Sequence, residues 1–222
     1  MDEAHPLSTP MIFRSLDVNK DPFRSQEKDE EILGSEVPYL ITIGALMYLA
    51  NTTRPDIAFV VNLLARYSSA PTRRHWNGIK HILRYLKGTT DMSLFYSVNW
   101  SSNLVGYADL GYLSDPHKAR SQTGYVFICG GTAISWRSTK HSIVTASSNH
   151  AEIIVIHEAS RECVWLRSMI HLIREKCGTL HEDNAACISQ LKGGFIKGDR
   201  TKHMSPKLFY THELQKNGDI NV

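Results

Sequence analysis

The sequence predicts an α/β protein in which a helical segment precedes a mixed sheet, and two observations support this prediction. Between residues 38 and 96 the apolar residues recur at helical spacing. After residue 97 short apolar runs alternate with turn residues, which predicts strands, and a long helical stretch follows them. Strands followed by helices within one segment are typical of a sheet that helices cover.

The composition is that of a globular chain. Of its 222 residues, 42% are hydrophobic and 21% are charged, and the formal charge of +3 permits a nucleic-acid partner without requiring one. The start, MDEAHPLSTP, lacks the apolar core of a signal peptide, and the best apolar stretch, YLITIGALMYLA, is too short to cross a bilayer. We therefore expect a cytoplasmic or nuclear protein that does not contact membranes.

The cysteine pattern argues against disulfides. Cys129, Cys163, Cys177 and Cys187 are scattered without a close pair, which favours thiols in a reducing compartment. A zinc module that adds His181 to the last three of these cysteines stays a minor alternative, because its ligand spacing is unsuitable.

The region before residue 97 contains an irregular segment and three helices. Residues 1–37 are rich in Pro, Ser and charged residues, and we expect this segment, called the lead-in below, to be irregular and exposed. Helices are predicted over residues 40–50, from Pro55 through residue 67, and from Thr72 to Gly88.

The third predicted helix has an apolar stripe and a basic face. The stripe consists of Trp76, Ile79, Leu83 and Leu86, which recur at helical spacing. Four cations share another face, and they either bind phosphates or form ordinary solvated surface. These cations, called the basic face below, are Arg73, Lys80, Arg84 and Lys87.

The region after residue 97 begins with three predicted strands. They cover residues 103–109, 123–129 and 132–138, and Gly130-Gly131 is typical of a tight hairpin between the last two. Three consecutive strands with such short connections predict an antiparallel meander.

A long helix follows the meander and carries a carboxylate on its apolar face. It is predicted to begin near Ser147 or Ser148, either of which can cap it, and to end near Ile173. A glutamate on this face would point toward the sheet, where it is costly without a partner. The residues of the face, at steps of four and three, are Glu152, Ile156, Ala159, Cys163, Leu166 and Ile170.

Two further carboxylates lie at predicted strand ends. Asp109 closes the run LVGYAD, and Asp183 stands between a short predicted strand, Leu180 to Glu182, and a helix that begins at Asn184. Each carboxylate is also explained as a turn or cap residue. Taken with Glu152, however, they are the oxygen ligands that a pair of Mg²⁺ ions needs for phosphodiester hydrolysis.

These motifs resemble a known family. The stretches VGYADLGYLSD, SQTGYVFICGGTAISWRSTK, SSNHAEIIVIHEASRECVWLR, EDNAACISQL and DRTKH are similar, in this order, to the ribonuclease H domain of Ty1/copia-type retrotransposon Pol polyproteins. The block from YLITIGALMYLA to YLKGTTD resembles the segment that connects the reverse transcriptase of that family to its ribonuclease H. The resemblance implies a five-stranded mixed sheet, with three antiparallel strands and then parallel ones, flanked by helices.

The resemblance also implies an activity and its residues. The family hydrolyses the RNA strand of RNA:DNA hybrids with Mg²⁺, for which Mn²⁺ can substitute, and its metal-binding carboxylates fall on Asp109, Glu152 and Asp183. His203 matches a family histidine that contacts substrate or shuttles protons, but Met204 and Ser205 follow it in place of an apolar residue and Asp. We therefore assign His203 no metal role. The basic face becomes a track for hybrid phosphates.

Departures from the family pattern predict weak or absent cleavage. The reverse transcriptase core would lie upstream of Met1, so in an intact polyprotein it is a partner of this chain. Only KCGTLHE separates the long helix from Asp183, which predicts a shortened strand. GDINV resembles the last strand, so residues 97–222 are expected to lack the closing helix and its fourth carboxylate. A noncatalytic mobile-element remnant that binds nucleic acid through the basic face is the alternative.

Overall fold

The structure is a computed structural model that describes residues 4–12, 17–18, 21–97, 103–115, 117–145, 147–173, 178–181, 183–193 and 205–222. The chain forms two compact units. The first comprises Met1–Leu94 with Asp115–Lys118, and the second comprises Phe95–Ser114 with Ala119–Val222. Across the described residues, every helix is too short or too polar to span a bilayer.

The first unit is built from three helices around one apolar core. Helix α1 is Tyr39–Thr52, a 3₁₀ turn covers Pro55–Ile57, α2 is Ala58–Ala65, and α3 is Arg73–Gly88. All three predicted helices are present. The side chains that interlock between them are fully or almost fully buried, and they include Ile43, Leu46, Val60, Leu63, Leu64, Ile79 and Ile82.

The buried side of α3 differs from the predicted stripe. Ile79 is buried as expected, but Trp76, Leu83 and Leu86 are only partly buried, and His75, Gly78, Ile82 and Tyr85 complete the buried side. The cause is close packing at Gly78: a Cβ there would lie 3.0 Å from Phe23 Cε1 and 3.1 Å from Leu64 Cδ2. The absence of a side chain at Gly78 lets the lead-in and α2 approach the helix, so its buried side shifts toward this residue.

The lead-in is irregular and most of its described residues are exposed, as predicted, but a few of its residues are buried. Asp21 and Phe23 are 0% and 1% exposed, and Leu7 and Met11 pack against the helical core. Its described residues contain no helix and no strand, and a single β-bridge joins Ile32 to Thr72. The polarity of the sequence predicted the lack of regular structure correctly. It did not predict that a few apolar residues anchor the segment to the helical core.

His75 joins three segments of the first unit. The main-chain N–H of Thr72 donates to His75 Nδ1 at 3.0 Å, as the reciprocal bond of a capping box at the start of α3. Because Nδ1 accepts, the ring proton is on Nε2, which donates to the carbonyl oxygen of Arg24 at 3.0 Å. The ring is fully buried and stacks on Tyr67, with centroids 4.0 Å apart.

The second unit contains a mixed sheet. Its strands are β1 Leu104–Asp115, β2 Arg120–Cys129, β3 Thr132–Lys140 and β4 Gly178–His181. The order is β3-β2-β1-β4, with β2 and β3 antiparallel and β4 parallel to β1. The three predicted strands are confirmed, although β1 runs past Asp109. Gly130 and Gly131 form the hairpin turn with φ of 60° and 82°, values that glycine adopts readily.

Helix α4, Ser148–Ile173, covers the sheet and agrees with its predicted bounds. The Ser147 hydroxyl oxygen caps it by accepting from the His150 N–H at 3.2 Å. Every residue of the predicted apolar face is buried, from Glu152 at 8% exposure to Ile170 at 8%. The helix packs mainly against β2, β4 and the two helices that follow.

The C-terminal part contradicts the expectation that the chain ends in a strand and lacks a further helix. Helix α5 is Ala185–Gly193, and a further helix, α6, covers Ser205–Lys216 and packs on α4 and α5. Residues 218–222, expected to be the last strand, form no strand, and the described residues contain four strands instead of five. The sequence did offer a start signal for α6, because Ser205-Pro206 is typical of a helix N-terminus.

We expect the unfolding free energy of the first unit to decrease in acid through His75. Burial is the main cause that lowers the pKa of His75 below 6.5. A lowered histidine pKa stabilises the fold above pH 6.5, and this contribution is lost as the pH falls through the folded-state pKa. His75→Gln, which keeps a capping-box partner but cannot titrate, should flatten the decrease, whereas His75→Ala should cost about 2 kcal/mol at pH 7.

Urea unfolding between pH 7.5 and pH 5, followed by circular dichroism, measures this effect. Asn77→Gln, at an exposed position of the same helix, is the matched control and should behave as the wild type does. Identical acid profiles for the wild type and His75→Gln would assign the decrease to other groups.

Candidate active site

Two of the predicted ligands follow the paired segments of β1 and β4. The parallel pairing of β1 with β4 runs from Leu104 opposite Gly178 to Tyr107 opposite His181. Asp109 follows Tyr107 by two residues and Asp183 follows His181 by two residues, and both carboxylates are exposed. The observed pairing ends at His181, and Asp183 lies outside β4. A parallel register that continued for two more residues would make these carboxylates neighbours, so their proximity stays an expectation.

Asp109 projects from the face of β1 that α4 does not cover. Along β1, Leu104 and Ala108 are buried in the core with the residues of α4, whereas Tyr107 is 48% exposed. Successive side chains of a strand point to opposite faces, so Asp109 shares the open face with Tyr107. This arrangement differs from the expected one, in which Asp109 closes a strand and faces the helix.

Glu152 lies in a different environment. It is the fifth residue of α4, 8% exposed, and its neighbours from Ala151 to Ile156 are all buried as well. Residues 151–156 of α4 are therefore buried on all sides, whereas Ser148 at the start of the helix is exposed. Glu152 belongs to the apolar layer between helix and sheet, whereas Asp109 and Asp183 are exposed.

The side chains that the structure describes do not assemble a metal centre. No group of three or more His, Cys, Asp and Glu residues within the described ranges is placed to hold a metal ion. The proposed Mg²⁺ ligand set of Asp109, Glu152 and Asp183 therefore fits poorly, and its metal role stays a prediction of the resemblance. His203 falls outside the described residues.

The cap explanation of Asp183 is weakened by its neighbour. The Asn184 side-chain oxygen accepts from the N–H groups of Ala186 and Cys187, each at 3.1 Å, so Asn184 caps α5. Asp183 is not needed for this role.

Sequence reasoning missed an aromatic pair beside the carboxylates. The rings of Tyr107 and His181 are stacked with centroids 5.3 Å apart and planes at 19°, on the same open face as Asp109. The pairing of β1 with β4 creates this contact. No spacing within either segment signals it, because the two residues are far apart in sequence.

Part of the basic face is engaged by the chain itself. Arg84 Nε donates to the carbonyl oxygen of His5 at 2.7 Å, and Lys87 Nζ donates to that of Ala4 at 3.2 Å. Arg73 is exposed and Lys80 is half-buried at the other end of the same face. The lead-in therefore lies along the C-terminal half of the basic face, and phosphate binding by this face stays a prediction.

The cysteines add no second site. Cys129, Cys163 and Cys187 are buried and none of them forms a disulfide, while Cys177 lies outside the described residues. His181, the fourth member of the zinc alternative, stacks on Tyr107. Within the described ranges, no zinc-type cluster is present either.

The chain is similar in sequence to retrotransposon polyproteins and to a secreted protein. The retrovirus-related Pol polyprotein from transposon TNT 1-94 of Nicotiana tabacum is 32% identical over 225 residues, which is 100% of this chain and 17% of that polyprotein. Secreted RxLR effector protein 161 of Plasmopara viticola is 42% identical over 130 residues, which is 59% of this chain and 92% of that protein. No family model matches the chain.

Among solved structures, a ribonuclease H1 isolated from compost is similar at 15% identity and a TM-score of 0.40, covering 55% of this chain and 82% of that one. So low a score adds no weight, and the fold assignment depends on the observed strand order and directions. A mixed sheet of order β3-β2-β1-β4 with a long helix after β3 defines a ribonuclease H-like domain. The chain belongs to the Ty1/copia-type retrotransposon Pol polyprotein family, and it spans about a sixth of the tobacco polyprotein.

We expect Asp109 and Asp183 to destabilise each other. Like charges on neighbouring strands repel, so Asp109→Asn and Asp183→Asn should each raise the unfolding free energy, with a coupling of about 0.2–1 kcal/mol between them. A double-mutant cycle by urea unfolding at low salt measures this coupling. It should shrink in 1 M salt, where charges are screened. Zero coupling at low salt would mean that the register does not bring the carboxylates together.

Proposed function

We propose that this chain is the ribonuclease H-like segment of a retrotransposon Pol polyprotein whose cleavage of RNA:DNA hybrids is weak or lost. One observation carries the proposal: Asp109 and Asp183 are exposed whereas Glu152 is buried, and the described residues form no group of three side chains placed to hold a metal ion. The chain can therefore descend from a nuclease without keeping a working metal site. The fold and two exposed carboxylates persist, while the third carboxylate is buried.

The chemistry explains why such a set falls short. Bound Mg²⁺ would supply water activation and stabilisation of the leaving oxygen, and it takes oxygen ligands in a near-ideal octahedral arrangement. Two carboxylates neutralise less positive charge than the three or four that a pair of cations requires. As described, the side chains do not support hydrolysis with two metals.

A noncatalytic remnant that binds nucleic acid is the second candidate, and the basic face of α3 favours it. Arg73 and Lys80 do not take part in the contacts between the lead-in and Arg84 or Lys87. Binding of this kind depends on phosphate charge and on duplex shape more than on base edges. In an intact polyprotein, the upstream reverse transcriptase core would share the same hybrid.

The similarity to the Plasmopara viticola effector does not extend this proposal. The 130 residues shared with that protein lie within a chain that aligns over its full length with the tobacco polyprotein. The similarity is therefore explained by polyprotein-derived sequence alone, and secretion or effector activity does not follow from it.

We expect the purified chain to cleave RNA:DNA hybrids at or near background. The reason is the incomplete carboxylate set, which should lower the occupancy of at least one metal position. A hybrid-cleavage assay with Mg²⁺ and with Mn²⁺, run beside Asp109→Asn, measures this. Robust cleavage that disappears in Asp109→Asn would contradict the proposal, whereas equal background rates would support it.

Hybrid binding through the basic face should depend on salt. Each phosphate contact that is lost lowers the magnitude of the slope of log K against log salt by about 0.9, so Arg73→Gln with Lys80→Gln should lower it by about 2. Arg84→Gln with Lys87→Gln should change it less, because those side chains are bound to carbonyl groups of the lead-in. Fluorescence anisotropy with a labelled hybrid measures both slopes. Unchanged slopes in both variants would make the basic face ordinary solvated surface.

A further inference from the structure

The second unit contains a cavity of about 200 Å³. None of the predicted site residues lines it. It lies between the ends of β2 and β3, the loop after β3, and one side each of α4 and α6. Its lining combines three cations with other polar groups and two isoleucines, Ile143 and Ile154. The cations and the polar groups used below are Thr123, Arg137, Lys140, His141, Glu158 and Lys207. None of these residues was predicted as a metal, catalytic or nucleic-acid-binding residue.

Two buried side chains give the cavity a fixed floor. Thr123 and His141 are 3% and 5% exposed, and Thr123 Oγ1 lies 2.7 Å from His141 Nε2. The main-chain N–H of His141 donates to the carbonyl oxygen of Ser121 at 2.9 Å, which fixes the backbone there. A floor held in this way is preorganised, so a ligand does not have to order it on binding.

The floor also offers hydrogen-bonding capacity that the protein leaves unused. His141 Nδ1 is buried and has no hydrogen-bond partner within the described part of the chain. A Thr123 hydroxyl that donates to Nε2 leaves the ring proton on Nδ1, which is then a donor without an acceptor. An unsatisfied buried donor is costly, and an oxyanion is the kind of ligand that satisfies it.

The walls of the cavity carry excess positive charge. Arg137 and Lys140 come from β3 and Lys207 comes from α6, whereas Glu158 is the one carboxylate among the described lining residues. Burial, followed by the charge of Lys207, lowers the pKa of His141, so this ring is neutral near pH 7. The lining therefore has a formal charge of +2. Cations that converge from two elements repel each other, and a bound anion relieves that repulsion.

Phosphate matches this chemistry better than a planar carboxylate does. Its four oxygens can accept at once from the cationic walls, the hydroxyl groups and the floor. The volume far exceeds the roughly 30 Å³ of one water, so a phosphate with a substituent fits as well as a free ion. The side chains of Thr139 and Ser142 add hydroxyl groups to the lining.

We propose that this cavity is a phosphate-binding site built from Arg137, Lys140, His141 and Lys207. The phosphate is either a free ion or part of a nucleic-acid backbone, and only the second source rests on the function proposed above. Neither Asp109 nor Asp183 is among its lining residues.

The first arm of the test uses inorganic phosphate and the full chain. Isothermal titration calorimetry should show binding that Lys140→Gln with Lys207→Gln weakens about tenfold or more. Lys192→Gln, at an exposed position of α5 outside the cavity, is the matched control and should bind as the wild type does. Circular dichroism checks that each variant is folded.

Glu158→Gln makes the test independent of misfolding. Removing the only wall carboxylate removes a repulsion, so phosphate binding should become several-fold tighter. A damaged fold cannot mimic a gain in affinity. No phosphate binding by the wild type, or unchanged affinity in both the lysine variant and Glu158→Gln, would overturn the proposal.

The second arm identifies the source of the phosphate. If it is a nucleic-acid backbone, Lys140→Gln with Lys207→Gln should also weaken binding of an RNA:DNA hybrid and lower its salt slope by about 2. Loss of phosphate binding with unchanged hybrid binding would support the site and assign it to a free phosphate. Hybrid cleavage is measured separately, so failure of the nuclease proposal leaves both arms interpretable.

Discussion

The second unit depends on one short parallel strand pair. Four register pairs with β1 connect β4 to the meander. A parallel neighbour requires a long crossover, and α4, with 26 residues, supplies it while covering the sheet. The same pairing stacks Tyr107 on His181, on the face that carries Asp109. Because β4 is only four residues long, this arrangement is held by few main-chain hydrogen bonds.

The sequence predicted α4 well because several local signals agreed. Ser147 at the cap, the four-and-three spacing of the apolar face and the length of the run all favoured one helix. Helix α6 was missed since GDINV was interpreted as a strand, and its own start signal, Ser205-Pro206, was not weighed. The lead-in was judged by its polarity. The burial of Phe23 depends on contacts with α2 and α3 that the local sequence does not encode.

The candidate site was also predicted only in part. Family resemblance placed the carboxylates at particular positions, and the structure places Asp109 inside β1, not at its end. Which face a strand residue occupies depends on the register and on the layer that covers the sheet, and neither could be derived from the run LVGYAD. The phosphate-binding cavity was beyond prediction for the same reason. Its cations come from β3 and α6, two elements that meet only in the folded unit.

Gly78 shows how a local preference gives way to a long-range one. Glycine within a helix is disfavoured by about 1 kcal/mol relative to alanine, and replacing it is a standard way to stabilise a protein. Here a methyl group would lie 3.0 Å from Phe23 and 3.1 Å from Leu64, so either the lead-in or α2 would have to move. Substitution with alanine would thus improve α3 as an isolated helix and loosen its attachment to the segment that covers Arg84 and Lys87. In this helix, intrinsic propensity and tertiary packing favour opposite residues at the same position.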